Sequence, residues 1–424
     1  MVKSMHMEYA DIVILGAGIG GYETFRTLAR LLKKHRLPQR ILVIDRNNYF
    51  TFTPMLHEAA TGSIEPGHAA IALRELLYGT PHSFLKATVA HIDPPTKTIQ
   101  TDQGTVRYGY AVLALGSGVN YFGLADAASK AENVRTLRGA LRLRRKLMGL
   151  LEGCQTEITV TIVGGGFTGV EVAGQFSYLA AHDLKKLYPD KKILVRLIDP
   201  SGILSMAPPQ VPAIIQRRLE NAGVHFEIGS RVQGLENGRL ILANGKTFTT
   251  DLTIWCAGVQ NYADSFLSAD FQEKGKIPVN EFLQHVRANE LYAVGDIAAA
   301  CDSTTKKPCP PLGEAAHRQG AYVATHLAAA LRGKAARVKP FRFKSWGMMV
   351  PVGEGYGVVV AGPLVFTGFI AWFIRRTVYI FFMPGALRKI KIMFDWALHS
   401  FGFRYIIELE DQDADEGPGI CPTP

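Results

Sequence analysis

The chain has 424 residues, of which 47% are hydrophobic and 20% charged. That length fits two or three domains, and that composition excludes wholesale disorder. Lys and Arg outnumber Asp and Glu by 47 to 37, and the net charge of +10 favours an anionic partner: nucleic acid, anionic lipid or a polyanionic substrate. The 42 glycines follow no G-x-y period, which excludes collagen; spread among apolar runs, they suit a nucleotide-binding α/β protein.

The first predicted strand is the apolar run from Asp11 to Leu15. It is short and carries no cleavage-site pattern, so no signal peptide is expected. It ends in Gly16, Gly18 and Gly21, spaced as G-x-G-x-x-G, and a helical pattern follows with Phe25, Leu28, Leu31 and Leu32 on one face. A second run from Arg40 to Ile44 ends in Asp45. Strand, glycine turn, helix, strand and acid together make a βαβ unit for a dinucleotide. Alternation with turns at Pro94-Pro95 and Gln103-Gly104 predicts hairpins over Ala90 to Tyr108, and Ala111 to Gly116 reads as a buried strand ending in small residues.

The same grammar returns further on. Thr159 to Val163 leads into Gly164, Gly166 and Gly169, a helical stretch through Glu171 and Phe176 to Leu187, and a strand from Ile193 to Ile198 that ends in Asp199. Two copies imply two dinucleotide sites. In each, the first glycine makes the turn, the second admits a pyrophosphate, and the third lets helix pack on strand. The helix N-terminus supplies amides and a positive dipole, and the acid receives ribose hydroxyls. Asp199, followed by Pro200 and Ser201 and not by an arginine, favours NADH over NADPH because its charge repels a 2'-phosphate. Asn237-Gly238 and Asn244-Gly245 predict hairpins over Gln233 to Thr250. Leu291 to Val294 is a further strand, ending in Gly295-Asp296, where an aspartate suits a flavin ribityl chain.

From Phe341 the composition turns aromatic, apolar and basic. Gly355 to Ile374 is an uncharged run of twenty residues, read as two short strands leading into a helix and not as a membrane span. The helix from Phe369 carries Trp372, Phe373, Tyr379, Phe381 and Phe382, and Pro384-Gly385 breaks it. A second helix puts Leu387, Ile390, Phe394, Ala397 and Phe401 on one face, with Arg388, Lys391, Asp395 and His399 opposite. Arg375, Arg376, Arg388, Lys389, Lys391 and Arg404 beside these aromatics point to helices lying on an anionic membrane surface. After Ile407 come six acids without a base, read as a disordered tail. No zinc finger, RRM or basic region supports nucleic-acid binding, and no metal-ligand set is read. Five cysteines, Cys154, Cys256, Cys301, Cys309 and Cys421, show neither a CxxC pair nor a disulfide framework, so a reducing compartment is expected.

These motifs together resemble the type II NADH dehydrogenases, the single-subunit, non-proton-pumping NADH:quinone oxidoreductases. The resemblance runs from Ala10 to about Ile407. It rests on Gly16 to Gly21, DRNNYFTFTPMLHEAATG at 45–62, VLALGS at 112–117, GGGFTGVEVAG at 164–174, WCAGV at 255–259, VGDIA at 294–298, PPLGEAAHRQG at 310–320 and IMFDWALHSFGFRY at 392–405. It implies an α/β flavoprotein of the glutathione-reductase-like type, with two dinucleotide-binding domains and a C-terminal amphipathic helical membrane-binding region. FAD would be held by residues 1–120 and 288–340, NADH by 121–287, and the membrane by 341–407, ahead of an acidic tail at 408–424.

The FAD residues implied are Gly16, Gly18, Gly21, Asp45, Arg46, Pro54, Ala114, Gly116, Gly295 and Asp296. The NADH residues are Gly164, Gly166, Thr168, Gly169, Glu171, Asp199, Ala257 and Gly258. Gly313, Glu314, His317, Arg318 and Gln319 are assigned to the quinone side, with Glu171, Gln175 and Gln319 as catalytic candidates. Gln175 stands where the family often has a glutamate, and Gly313 to Gln319 keeps only the last glutamine of the usual quinone motif. His57 and His317 invite a proton-transfer role, but hydride transfer needs no protein base and a packed or surface histidine is the favoured reading. A homodimer bound peripherally to the cytoplasmic face of the cell membrane, or to the equivalent organelle inner membrane, is expected. Two other readings are a sulfide:quinone oxidoreductase-like enzyme, which would need cysteines near the flavin, and a flavin redox sensor without turnover.

Overall fold

The computed structural model describes residues 8–401, so the acidic tail, Arg404 and Cys421 lie outside the described residues. The chain divides into two compact units. The first comprises the described part of Met1–Phe52 with Ala70–Gly118 and Val259–Ser345; the second comprises Thr53–Ala69, Val119–Gly258 and the described part of Trp346–Pro424. This division differs from boundaries drawn on motifs. Residues 53–69 and the C-terminal helices group with the second glycine motif, and 259–287 groups with the first.

The first unit is built on a sheet whose central strands are parallel. Its order is Gln284–His285, Ala288–Ala293, Gly104–Leu113, Glu8–Leu15, Ile41–Asp45 and Ser83–Lys86. Ile12, Val13, Ile14 and Leu15 are fully buried, as a central strand covered on both faces requires. Register decides the function of this sheet. Leu15 pairs with Ile44 on one side and Leu113 on the other, and Leu113 pairs with Ala293. Four chain segments, beginning at Gly16, Asp45, Ala114 and Val294, therefore leave the sheet at one edge, where open α/β sheets bind ligands. The helix Gly313–Ala330 packs on Ile19–His35, and the expected hairpins form the meander Val89–Asp93, Thr98–Thr101 and Gly104–Leu113.

The second unit repeats the device on a smaller scale. Its parallel sheet has the order Val224–Ile228, Lys192–Asp199, Glu157–Val163 and Leu252–Trp255. Val163 pairs with Ile198 and with Trp255, which brings Gly164, Asp199 and Cys256 to one edge. The expected long helix stops at Ala181 and restarts as a short piece over Asp183–Leu187. The meander at 232–249 and the strands Gly357–Ala361 and Leu364–Thr367, leading into the helix Gly368–Phe382, follow the sequence reading.

The last helix, Ala386–Phe401, is amphipathic with its apolar face turned outward. Leu387, Ile390, Phe394 and Leu398 are exposed, whereas Ile392, Asp395 and Trp396 are buried. On Gly368–Phe382 the residues Phe369, Ile370, Phe373 and Phe381 are exposed, Phe381 to 74%. Arg375 and Arg376, counted above as surface charge, are instead 2% and 6% exposed. The reason is pairing with buried carboxylates. Among the described residues, no helix is long and apolar enough to cross a membrane. Cys154 is disulfide-bonded, where the cysteine spacing gave no disulfide framework.

Candidate active site

The two glycine loops have the same local construction. Gly16 and Gly164 adopt φ of +92° and +109°, and a side chain on either would strike backbone, at Ala114 O (2.4 Å) and Ala257 N (2.7 Å). A Cβ on Gly21 or Gly169 would lie 1.8 Å from the carbonyl oxygen of Gly16 or Gly164. Only glycine lets helix and strand approach so closely. The middle glycines, Gly18 and Gly166, start the helices with extended backbone, no side chain caps them, and the space beside them is open. Two uncapped helix N-termini with open approach fit pyrophosphate groups.

The acids are matched as well. Asp45 accepts from the amides of Ala17 and Asn47, and Asp199 from those of Gly165 and Ser201, all at 2.7 Å. Each carboxylate thus fixes its own loop. Burial raises the Asp45 carboxyl above its ordinary range against the pull of those amides. Arg46 and Thr168 are exposed, and Ala257 and Gly258 follow the strand that ends beside Gly164.

At the same edge of the first unit, Gly295 has φ +76° and Gly116 has φ +68° with open space beside it. Ser117 Oγ donates to the Asp296 carboxylate. Gln319, 1% exposed, accepts the Gly295 amide at 2.6 Å, so it holds the Gly-Asp turn. Its neighbours also bond within their own unit. His317 Nδ1 lies 3.3 Å from buried Glu23, and Glu314 pairs with Arg318 at 3.2 Å and with Ser345 at 2.9 Å. Burial holds the His317 imidazole below its ordinary range, with Glu23 opposing.

The second unit contains a buried ionic cluster that the sequence reading did not assemble. Arg375 donates to Glu58 at 3.1 Å and to the Pro54 carbonyl at 3.0 Å, and lies 3.6 Å from Glu171. His57 Nδ1 is 3.5 Å from Glu171, while its Nε2 faces Arg375 at 3.4 Å. Trp396 Nε1 donates to Glu58 at 3.0 Å. Beside them Arg376 pairs with Glu354 at 2.6 Å, and its guanidinium stacks on Trp372 and Trp396. Gln175, 2% exposed, bonds Glu354 at 3.3 Å and receives Ser63 Oγ at 3.2 Å. The sequence held one signal for this. Two arginines inside an otherwise apolar, aromatic helix must find carboxylates if that face is buried.

Charge in the cluster is unevenly held. Burial acts to raise Glu58, but Arg376 and Arg375 outweigh it and keep the carboxyl below its ordinary value. Burial pushes Glu171 up to about 7, with Arg375 opposing and Glu58 adding to the rise. His57 is held well below its ordinary range by burial and then by Arg375, so it is a neutral imidazole. Cys256, half-buried just after Leu252–Trp255, is pushed up to about 12 by desolvation and then by Glu171, which keeps it a thiol and a poor nucleophile.

The sequence matches the pyridine nucleotide-disulphide oxidoreductase family over residues 10–320. The chain belongs to that family. It lacks the C-x4-C pair of the disulfide reductases beside the first glycine motif. It is 28% identical over 420 residues to the type II NADH:quinone oxidoreductase Ndh of Mycobacterium tuberculosis, covering 91% of this chain and 87% of that protein. Its fold matches NDH2 from Plasmodium falciparum, solved in complex with NADH, with a TM-score of 0.84 and 19% identity over 95% of this chain and all of the other. The sulfide:quinone oxidoreductase of Aquifex aeolicus has the same fold at a TM-score of 0.73 and 18% identity, over 97% of this chain and 99% of that one. These structural likenesses establish architecture; chemistry has to come from the site.

Glu171 gives a testable pH effect. A carboxyl raised on folding contributes stability that is fully present below its unfolded value of 4.5 and is lost as pH rises to about 7. Glu171→Gln does not titrate. Its melting temperature relative to the native protein should therefore increase between about pH 5 and about pH 7.5. A difference that is the same at both pH values would show that Glu171 ionises normally.

Proposed function

We propose that the protein is an FAD-dependent NADH:quinone oxidoreductase of the type II class. The observation that carries this reading is the duplicated glycine loop, each copy with an uncapped helix start and an acid fixed on its own amides. The first loop, with Asp45, Gly116, Gly295 and Asp296, would hold FAD. The second, with Asp199, Ala257 and Gly258, would hold NADH. When bound, FAD supplies hydride acceptance from NADH and two-electron delivery to a quinone.

The chain's own residues have the remaining tasks. Gly18 and Gly166 leave room for the phosphates, and the helix dipoles stabilise their charge. Asp199 accepts ribose hydroxyls and repels a 2'-phosphate. Quinone reduction consumes protons, and Glu171 is suited to exchange one at its carboxyl oxygen because it titrates near neutrality. Gln175 cannot take up a proton, and its bond to Glu354 leaves the nearest carboxylate on the loop before Gly357–Ala361. The cysteines argue against sulfide as donor: desolvation pushes the Cys256 thiol up to about 12 and also raises Cys309, so neither is a ready thiolate.

The exposed apolar faces of the two C-terminal helices would seat the enzyme on a membrane, at its cytoplasmic face, where quinone dissolves. Anionic lipid complements the net charge of +10. Deleting these helices is a poor test, because it also removes Arg375 from Glu58. Phe369→Glu, Phe373→Glu and Phe394→Glu combined alter only exposed side chains. This triple variant should lose co-sedimentation with vesicles containing anionic lipid while keeping NADH oxidation with a water-soluble quinone. Undiminished sedimentation would remove the membrane assignment.

Nucleotide choice tests the catalytic reading. Asp199→Asn keeps an acceptor for the Gly165 amide and removes the charge. In steady-state turnover with a soluble quinone, kcat/KM for NADH over NADPH should fall at least about tenfold, equivalent to ~1.4 kcal/mol. An unchanged ratio would contradict the placement of NADH on the second loop.

A further inference from the structure

An exposed aromatic ring stands beside the second glycine loop. Phe122 is 63% exposed, and its backbone has φ +51°. A non-glycine residue in that left-handed region is uncommon, and a bulky one is an outlier. Gly123 follows at φ +80°, and the Leu124 amide donates to the Tyr121 carbonyl at 3.0 Å. Phe122 and Gly123 are therefore the central residues of a tight turn in which both take positive φ. Such turns favour Asn, Asp or Gly at the first central position, not a ring.

The segments flanking this turn are fixed. Tyr121 and Leu124, on either side, pack against the buried cluster that contains Val163, Ile198 and Trp255. Trp255 Nε1 donates to the Asn120 carbonyl at 2.8 Å, and Asn120 Oδ1 accepts the Phe122 amide at 2.8 Å. The Tyr121 hydroxyl accepts from Asn133 at 3.3 Å. Phe122 is thus held in a disfavoured conformation while its own ring buries little surface. Strain that burial does not offset marks residues that serve a ligand.

Strand order says which part of the ligand the ring meets. Glu157–Val163 lies between Lys192–Asp199 and Leu252–Trp255, so Asp199 and Ala257 emerge on opposite sides of Gly164. Take a dinucleotide with its pyrophosphate on Gly164 to Gly166 and its adenosine ribose on Asp199. Its nicotinamide half then extends toward Ala257 and Gly258. Phe122 stands there: a Cβ on Gly258 would lie 2.7 Å from the Phe122 Cζ. The ring tip reaches over Gly258, and most of the ring stays open.

We infer that Phe122 is a substrate-positioning residue whose ring packs against the nicotinamide ring of NADH and holds it at Gly258. Aromatic pairing of this kind fixes the orientation that hydride transfer needs. The inference rests on the placement of NADH on the second loop proposed above.

Phe122→Asn removes the ring and supplies a residue that the turn prefers. Its melting temperature should rise by about 1–3 °C, whereas loss of a merely structural ring would lower it. Equilibrium dialysis of the FAD-loaded full chain against NAD+ should show a Kd raised about fivefold or more. ADP-ribose, which lacks the nicotinamide ring, should bind the native and variant proteins alike. Phe122→Tyr keeps the ring and should restore NAD+ binding. Unchanged NAD+ binding by Phe122→Asn would overturn the inference. So would an equal weakening of ADP-ribose, or a lower melting temperature. An unchanged preference for NADH over NADPH in Asp199→Asn would instead overturn the placement of NADH, so the two failures are distinguishable.

Discussion

A buried guanidinium needs carboxylates, and the second unit is arranged around that need. Arg375 is 2% exposed and its principal partner, Glu58, is equally buried. Removing one member of such a pair leaves the other charge unpaired, at a cost of roughly 3–5 kcal/mol. The pair joins segments more than three hundred residues apart in the chain. Glu58 comes from the short segment 53–69, Arg375 from the first C-terminal helix, and Trp396 closes the carboxylate from the second. This linkage places residues 53–69 and 346 onward with the second glycine motif. It also orients the C-terminal helices. With Arg375, Arg376, Asp395 and Trp396 turned inward, the apolar residues of both helices face out.

The same cluster sets the chemistry of Glu171. Two arginines stand among three carboxylates, Glu58, Glu354 and Glu171, so one acid is left without a full counter-charge. Glu58 and Glu354 make the direct pairs at 3.1 and 2.6 Å. Glu171, at 3.6 Å from Arg375, takes the least of the compensation and is left to titrate near neutrality. It sits on the helix Phe167–Ala181 capped by Gly166, so the loop proposed for NADH and the group proposed for proton exchange belong to one element. The matching acid–amide bonds of Asp45 and Asp199 show a second economy: one local device fixes the glycine loop on each of two sheets.

Most of the fold was legible because its signals are local. Each glycine triplet lies within six residues, each acid ends the next strand, and the Asn-Gly turns announce their hairpins. Parallel register then brings Gly16, Asp45, Gly116 and Gly295 together without any further information. The ionic cluster was not legible, since Glu58, Glu171, Glu354 and Arg375 share no spacing. Arg375 and Arg376 were read as surface charge because basic residues among aromatics fit a membrane interface as well as a buried pair. Gln319 was assigned to the quinone side by resemblance, whereas its side chain holds the Gly295 turn. The outward apolar face of the last helix followed from its period, although Asp395 on the opposite face is buried and not solvated.

The central claim is that the duplicated loops bring NADH and FAD into one reaction. Anaerobic mixing of the FAD-loaded protein with NADH, followed by flavin absorbance, tests it most directly. The account predicts rapid bleaching by NADH and its reversal on adding quinone. A flavin that NADH leaves oxidised while sulfide bleaches it would contradict the account and make the second loop a structural feature alone.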